Sequence, residues 1–213
     1  MTRRVVGFLG DSFTNGNHWS SPKCYRELVA EELAESHPEL EVVPGIAWHT
    51  KNGVRVLREE LLPWKPEIVF ILLGANDCAH QRSRGDAQLT PPDEYEENLG
   101  AILDTIASAG SRAALMTVAP MNEAYTLEDP EAFRTNADVA ACNRILRQLA
   151  SERGVRLVDI HTPLAEADIE EVICSDGLHA TLAGHRVIAR EVLQAVEEEL
   201  FGAGRVEKGR ADG

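Results

Sequence analysis

The sequence predicts an α/β domain, a three-layer αβα sandwich of flavodoxin-like type built on a five-stranded parallel sheet. Two observations lead there. Five short apolar runs of strand length alternate with segments whose apolar residues recur at helical spacing, and such alternation forces right-handed crossovers and a parallel sheet covered on both faces. The 213 residues, 44% hydrophobic and 26% charged, have the size and composition of one large folded domain.

Val5 to Leu9 is a continuous apolar run closed by Gly10, of strand rather than helix length. Ser21 and Pro22 read as N-cap and first residue of a helix with Tyr25, Leu28, Val29 and Leu33 on its apolar face, stopped by His37 and Pro38. An extended piece, Glu41 to Val43, leads to Pro44 and Gly45, after which Val54, Leu57 and Leu61 mark a brief amphipathic helix ending before Pro63. Ile68 to Leu73 is the strongest strand signal, a run rich in β-branched residues and closed by Gly74; a run without alternation belongs in the middle of a sheet covered on both faces.

Thr90 and Pro91 open the next helix, whose buried face is Tyr95, Leu99, Ile102, Leu103 and Ile106 and whose end is Gly110. Ala113 to Val118 forms the fourth strand. Asp129 with Pro130 opens a helical stretch with Val139, Cys142, Leu146 and Leu149 on one face and Gly154 as its cap. Val155 to Val158 is the fifth strand, and Leu182, Val187, Ile188, Val192, Val196 and Leu200 line a last helix that stops at Gly202. Residues 1–201 therefore read as one domain, and the polar, glycine-rich 202–213 as a disordered tail.

Charge and composition remove whole classes of function. Lys and Arg total 21 against 35 Asp and Glu, a net charge of −14, whereas nucleic-acid binding needs a clustered cationic face. No stretch approaches the ~20 apolar residues that span a bilayer, so no membrane insertion is expected. The start, MTRRVVGFLGDS, has too short an apolar run for a secretory leader, which makes the reading a cytoplasmic protein. Cys24, Cys78, Cys142 and Cys174 stand far apart with no C-x-x-C and read as buried or half-buried thiols. There is no G-x-G-x-x-G, no P-loop and no H-E-x-x-H, so neither a cofactor nor a metal is expected.

In a parallel sheet ligands bind beyond the carboxyl ends of the strands. Gly10-Asp11-Ser12 follows the first strand, Gly74-Ala75-Asn76-Asp77 the third and Asp176-Gly177-Leu178-His179 the fifth. Acyl transfer to serine needs a base for the hydroxyl proton, a carboxylate to hold the base's tautomer and donors for the developing oxyanion. Asp176, three residues before His179, can reach the imidazole within one turn that Gly177 frees to form. The serine does not lie in a G-x-S-x-G elbow, which sets the α/β-hydrolase fold aside.

These segments resemble the SGNH, or GDSL, hydrolase superfamily of serine esterases and lipases, over nearly the whole chain. The first block resembles Gly10-Asp11-Ser12 with Phe13, Thr14 and Gly16, the third Gly74-x-Asn76-Asp77, and the fifth Asp176-x-x-His179 with Gly184 five residues on. The resemblance implies Ser12 as nucleophile, His179 as general base and then acid, Asp176 as its orienting partner, and Asn76 as oxyanion donor beside the Ser12 backbone N–H. The family's second block supplies a glycine N–H to the oxyanion hole. Here Ile46-Ala47-Trp48-His49-Thr50 places Trp48 there, able to donate if its φ is negative and with its indole bordering the pocket; the amide near Gly45 is the substitute.

Asp11, Gly45, Asp77 and His80 complete the substrate-binding candidates, with Asp11 and Asp77 read chiefly as acceptors of loop amides. His18 follows the nucleophile block as His80 follows the Asn76 block. The pocket walls are expected from 78–92 and 119–136, which are polar and carry Arg82 and Arg84, unlike an apolar lid. Trp19 and Trp48 could stack on a sugar face. The expected function is a serine esterase acting on small or carbohydrate-linked short-chain, acetyl-type esters through an acyl-enzyme on Ser12. The alternatives are a non-catalytic flavodoxin-like binding module or decayed hydrolase, an acyltransferase, and the thioesterase and lysophospholipase activities known in the family. The expected partner is a small-molecule ester, and homo-oligomer formation stays open.

Overall fold

The computed structural model describes residues 3–16, 20–80, 85–126 and 133–202. Five strands, β1 (Arg4–Gly10), β2 (Leu40–Ile46), β3 (Ile68–Leu72), β4 (Arg112–Met116) and β5 (Arg156–Val158), form one sheet in the order β2-β1-β3-β4-β5. Every pairing is parallel, so the αβα sandwich and the central place of the Ile68 run are as the alternation implied. The helices are α1 (Ser12–Asn15), α2 (Tyr25–Ser36), α3 (Gly53–Val56), α4 (Pro92–Ser108), α5 (Glu123–Thr126), α6 (Asn136–Arg153), α7 (His161–Ala165), α8 (Ile169–Val172) and α9 (Leu182–Phe201).

The period of two along each strand divides the buried residues between two cores. Val5, Leu9, Val69, Ile71 and Leu115 pack with the 50–64 helical stretch, α4 and α6, through Leu57, Leu99 and Leu146 among others. Val6, Phe8, Ile68, Phe70 and Met116 pack with α2 and α9, through Val29, Leu33, Ile188 and Val192. Phe8 anchors the second core, stacked on Phe70 at 5.3 Å between centroids and edge-on to Tyr25 at 5.8 Å. Cys24, Cys78 and Cys142 are buried thiols and Cys174 is half-buried.

Several boundaries differ from the sequence reading. β2 continues through Pro44 to Ile46 because it is an edge strand. The Ala47 N–H bonds the Gly10 carbonyl across the ladder at 2.9 Å, and the alternation turns the Pro44 nitrogen toward the open side, where no donor is needed. α2 begins at Tyr25 with Cys24 as its N-cap, and the Glu27 carboxylate accepts the Cys24 N–H at 2.9 Å; Ser21 instead closes a turn onto the Lys23 carbonyl. The stretch after β2 breaks into 3-10, α, π and 3-10 segments from Thr50 to Trp64, with Pro63 inside the last of them.

α6 opens at Asn136, where Thr135 and Asp138 cap each other's amides reciprocally. Asp129 and Pro130 lie outside the described residues and do not start it. β4 stops at Met116 and β5 starts at Arg156, and α5, α7 and α8 are too short to show a period. The tail beyond Gly202 lies outside the described residues. Among the described residues no helix is long and apolar enough to cross a membrane.

His185 fastens α9 to α2. Its Nδ1 accepts the Tyr25 N–H at 3.2 Å, an otherwise unpaired amide of the first turn of α2, and its ring stacks with Tyr25 and meets Phe13 edge-on. Burial pushes its pKa down to about 4, and the neighbouring His179 acts in the same direction, so the ring is a neutral acceptor. The unfolded chain takes up that proton near 6.5 while the native state refuses it until about 4, so stability falls as pH drops through this window. His185→Gln is expected to lower Tm at pH 7 and to flatten the acid side of the Tm profile between pH 7 and 4, as read by thermal unfolding.

Candidate active site

The chain leaves β1 through a turn that only glycine permits: a Cβ on Gly10 would lie 2.0 Å from Thr14 Oγ1 and 3.0 Å from the Leu72 carbonyl. Asp11 then caps α1, its Oδ1 accepting the Phe13 N–H at 3.0 Å, and Ser12 stands at the first helical position, 7% exposed. From the far end of the sequence the loop before α9 arrives beside it. His179 Nε2 is 2.8 Å from Ser12 Oγ, and His179 Nδ1 is 2.5 Å from Asp176 Oδ2.

The Asp176 turn is fixed from within. Its Oδ1 accepts the N–H groups of Leu178 and His179, each at 3.0 Å. Gly177 has φ +75°, and a Cβ there would lie 2.6 Å from the Asn122 carbonyl, so the turn requires glycine. Burial pushes the Asp176 carboxyl upward, but the bonds from the His179 ring and the two amides outweigh it and hold the group below the usual carboxylate range. The ionised carboxylate accepts a hydrogen bond from Nδ1–H, which leaves Nε2 as the acceptor facing the Ser12 hydroxyl. Phe13 lies beside the His179 ring at 6.0 Å between centroids.

Asn76 follows β3 after Gly74, whose φ of +141° and close neighbours Val118 and Tyr95 again exclude a side chain. Asn76 Nδ2 donates to the Trp48 carbonyl at 3.0 Å, joining the two proposed oxyanion donors. Trp48 departs from the condition set for it: its φ is +64°, and His49 N–H closes on the Ala47 carbonyl at 2.7 Å around it. The strained position is one that glycine would occupy freely. Trp48 is 45% exposed.

The remaining candidates are placed elsewhere. Gly45 lies inside β2, where a Cβ would meet Leu61 and Val56 at 2.8 Å, and the ladder alternation directs its amide toward β1; it is a packing position. Asp77 is wholly buried and takes the Thr50 hydroxyl at 2.6 Å and the Thr50 N–H at 3.0 Å, anchoring the Trp48 loop. His80 faces the Asp86 carbonyl at 2.7 Å and Asp138 at 3.2 Å, one partner on each ring nitrogen. His18, Trp19, Arg82 and Arg84 lie outside the described residues. A residue that sequence reasoning missed is Arg134, whose Nη2 donates to Asn76 Oδ1 at 3.3 Å.

Asp11 is 1% exposed. Burial, reinforced by the Asp77 charge, pushes its carboxyl up to about 7 against the opposing Phe13 N–H bond. The native state therefore holds a proton that the unfolded state has lost near 3.8, and stability declines as pH rises from about 4 to about 7. Asp11→Asn keeps the acceptor and mimics the neutral acid, so its Tm advantage over the natural chain is expected to grow from pH 5 to pH 8 in a thermal-unfolding series.

Comparison with known proteins follows the same lines. The model of the GDSL-like Lipase/Acylhydrolase family matches residues 8–187. The chain is 24% identical over 164 residues to a GDSL esterase/lipase of Oryza sativa subsp. japonica, covering 72% of this chain and 63% of that protein, so it spans less than two thirds of that relative's length. It is 25% identical over 207 residues to an acetylxylan esterase of Geobacillus stearothermophilus, covering 89% and 92% of the two chains. The crystal structure of a lipase/acylhydrolase from Enterococcus faecalis shares the fold with a TM-score of 0.73, at 21% identity over 92% of this chain and 96% of that one.

Proposed function

The chain belongs to the GDSL-like lipase/acylhydrolase family, and from that premise we propose that it is a serine carboxylic ester hydrolase for small or carbohydrate-linked esters of short acyl groups, acetyl above all. One observation carries the reading: the unbroken relay from Asp176 through His179 to Ser12 Oγ, with both bonds at hydrogen-bonding distance. A non-catalytic binding module has no use for a hydroxyl aimed at an imidazole nitrogen whose far side is held by a carboxylate, so the relay favours chemistry over simple binding.

In this mechanism His179 Nε2 takes the Ser12 proton as Oγ attacks the ester carbonyl, and Asp176 stabilises the imidazolium that forms. The oxyanion is held by the N–H of Ser12 and the Asn76 amide, the Trp48 N–H being left out because its φ of +64° fails the condition set for it. Asn76 Nδ2 carries two hydrogens; one goes to the Trp48 carbonyl and the other serves the oxyanion. His179 then protonates the departing alcohol and activates the water that releases the acid.

Acetyl preference has two supports. The acetylxylan esterase relative acts, by its name, on an acetylated carbohydrate, and the loop whose carbonyl meets the Asn76 amide carries the bulky Trp48 at a left-handed position that glycine would occupy freely. Trp48→Gly is expected to keep acetyl turnover within a few-fold while raising kcat/KM for butyryl and hexanoyl relative to acetyl p-nitrophenyl esters. The direct test of the nucleophile is a fluorophosphonate probe followed by peptide mass spectrometry. Labelling at Ser12 that collapses in His179→Ala, together with loss of at least ~10³ in kcat on Ser12→Ala, is the expected result; a folded protein that stays unlabelled, or is labelled elsewhere, would overturn the reading.

A further inference from the structure

The geometry points to Arg134 as a positioning residue that fixes the Asn76 amide in its donating orientation, an inference that rests on the esterase reading above. A carboxamide has two ends of nearly equal shape, and only one suits an oxyanion hole. Turned the wrong way, Asn76 would present Oδ1 to a developing negative charge. The clamp prevents this from both sides: the guanidinium has no acceptor and can face only Oδ1, at 3.3 Å, while the Trp48 carbonyl has no donor and can face only Nδ2, at 3.0 Å.

Arg134 is itself held still. It is 7% exposed, and its Nε donates to the carbonyl of Ala75, the residue before Asn76, at 2.9 Å. Its own carbonyl accepts the Thr126 hydroxyl at 3.2 Å, and the next residue, Thr135, is the N-cap of α6. The guanidinium thus grips backbone and side chain of one turn from a rigid helix start. Drawing electron density through Oδ1 also makes the opposite N–H a better donor, since bonds in a chain polarise one another. The charge reaches the nucleophile turn as well, where it acts against the upward push of burial on Asp11.

A donor of this kind is worth about 10² to 10³ in kcat, and Arg134 acts only through it. The test measures p-nitrophenyl acetate hydrolysis by Arg134→Gln and Arg134→Lys, each in the natural and the Asn76→Ala backgrounds, with Tm recorded for all. The expected result is a fall in kcat of about 10-fold or more for Arg134→Gln with KM little changed, a smaller fall for Arg134→Lys, and almost no further loss from either once Asn76 is alanine. Equal losses in both backgrounds, or no loss in folded variants, would overturn the assignment. Arg134→Lys, which keeps a donor and the charge, carries the same comparison should Arg134→Gln not fold. Ser12→Ala run alongside separates the two levels: if it retains turnover, the esterase reading fails, and if it is inert while the Arg134 losses are additive, the positioning role fails alone.

Discussion

The hydrogen bond between His179 Nε2 and Ser12 Oγ joins residues 167 positions apart, and it forms because β1 and the loop before α9 finish at the same edge of the sheet. A parallel sheet buried on both faces offers polar groups few outlets, and the carboxyl edge is where the apolar runs stop. α9 must lie against α2 to cover one face, and His185, one turn into α9, bonds the first turn of α2. The packing that buries Val29, Leu33, Ile188 and Val192 is thereby the packing that brings His179 to the serine.

Burial then separates side chains of the same chemistry into different tasks. Asp176 and Asp11 are both carboxyls at this edge. Asp176 has the His179 ring and two amides to satisfy its charge and stays ionised, whereas Asp11 has one amide, little solvent and a second carboxylate nearby, and holds its proton close to neutrality. The imidazoles divide in the same way: His185 is locked neutral as an acceptor of a helix amide, while His179 faces a carboxylate on one side and a hydroxyl on the other. Sorting by environment rather than by residue type is how one pocket sets its acid and base apart.

Legibility in the sequence follows the range of the interaction. The β3 run and the amphipathic faces of α4 and α9 are local patterns that stand where the periodicities put them, whereas the Asp176-x-x-His179 turn, read as following the fifth strand, comes after α7 and α8, too short to show a period. Cys24 displaces Ser21 as a cap because Glu27, three residues on, reaches back to its amide, a local contact that cysteine as the capping residue does not advertise; Pro44 stays in a strand because that strand has an open side, which depends on the place of the strand in the sheet. Trp48 occupies a left-handed backbone position that its residue type argues against, and only the surrounding loop, tied to Asp77 through Thr50, explains it. Arg134 meets Asn76 across 58 residues, with no motif linking them.

The two rims of the sheet have a bearing on how the molecule behaves among its own copies. An open strand edge is a template on which foreign backbone can add, and long flat edges promote fibrils. Here one edge carries Pro44, exposed and lacking an N–H on its outward side, and the other ends in β5, only three residues long. An incoming strand finds a missing donor at the first and almost no length at the second. The sheet is therefore capped against growth in both directions, a safeguard against cross-β association at high concentration.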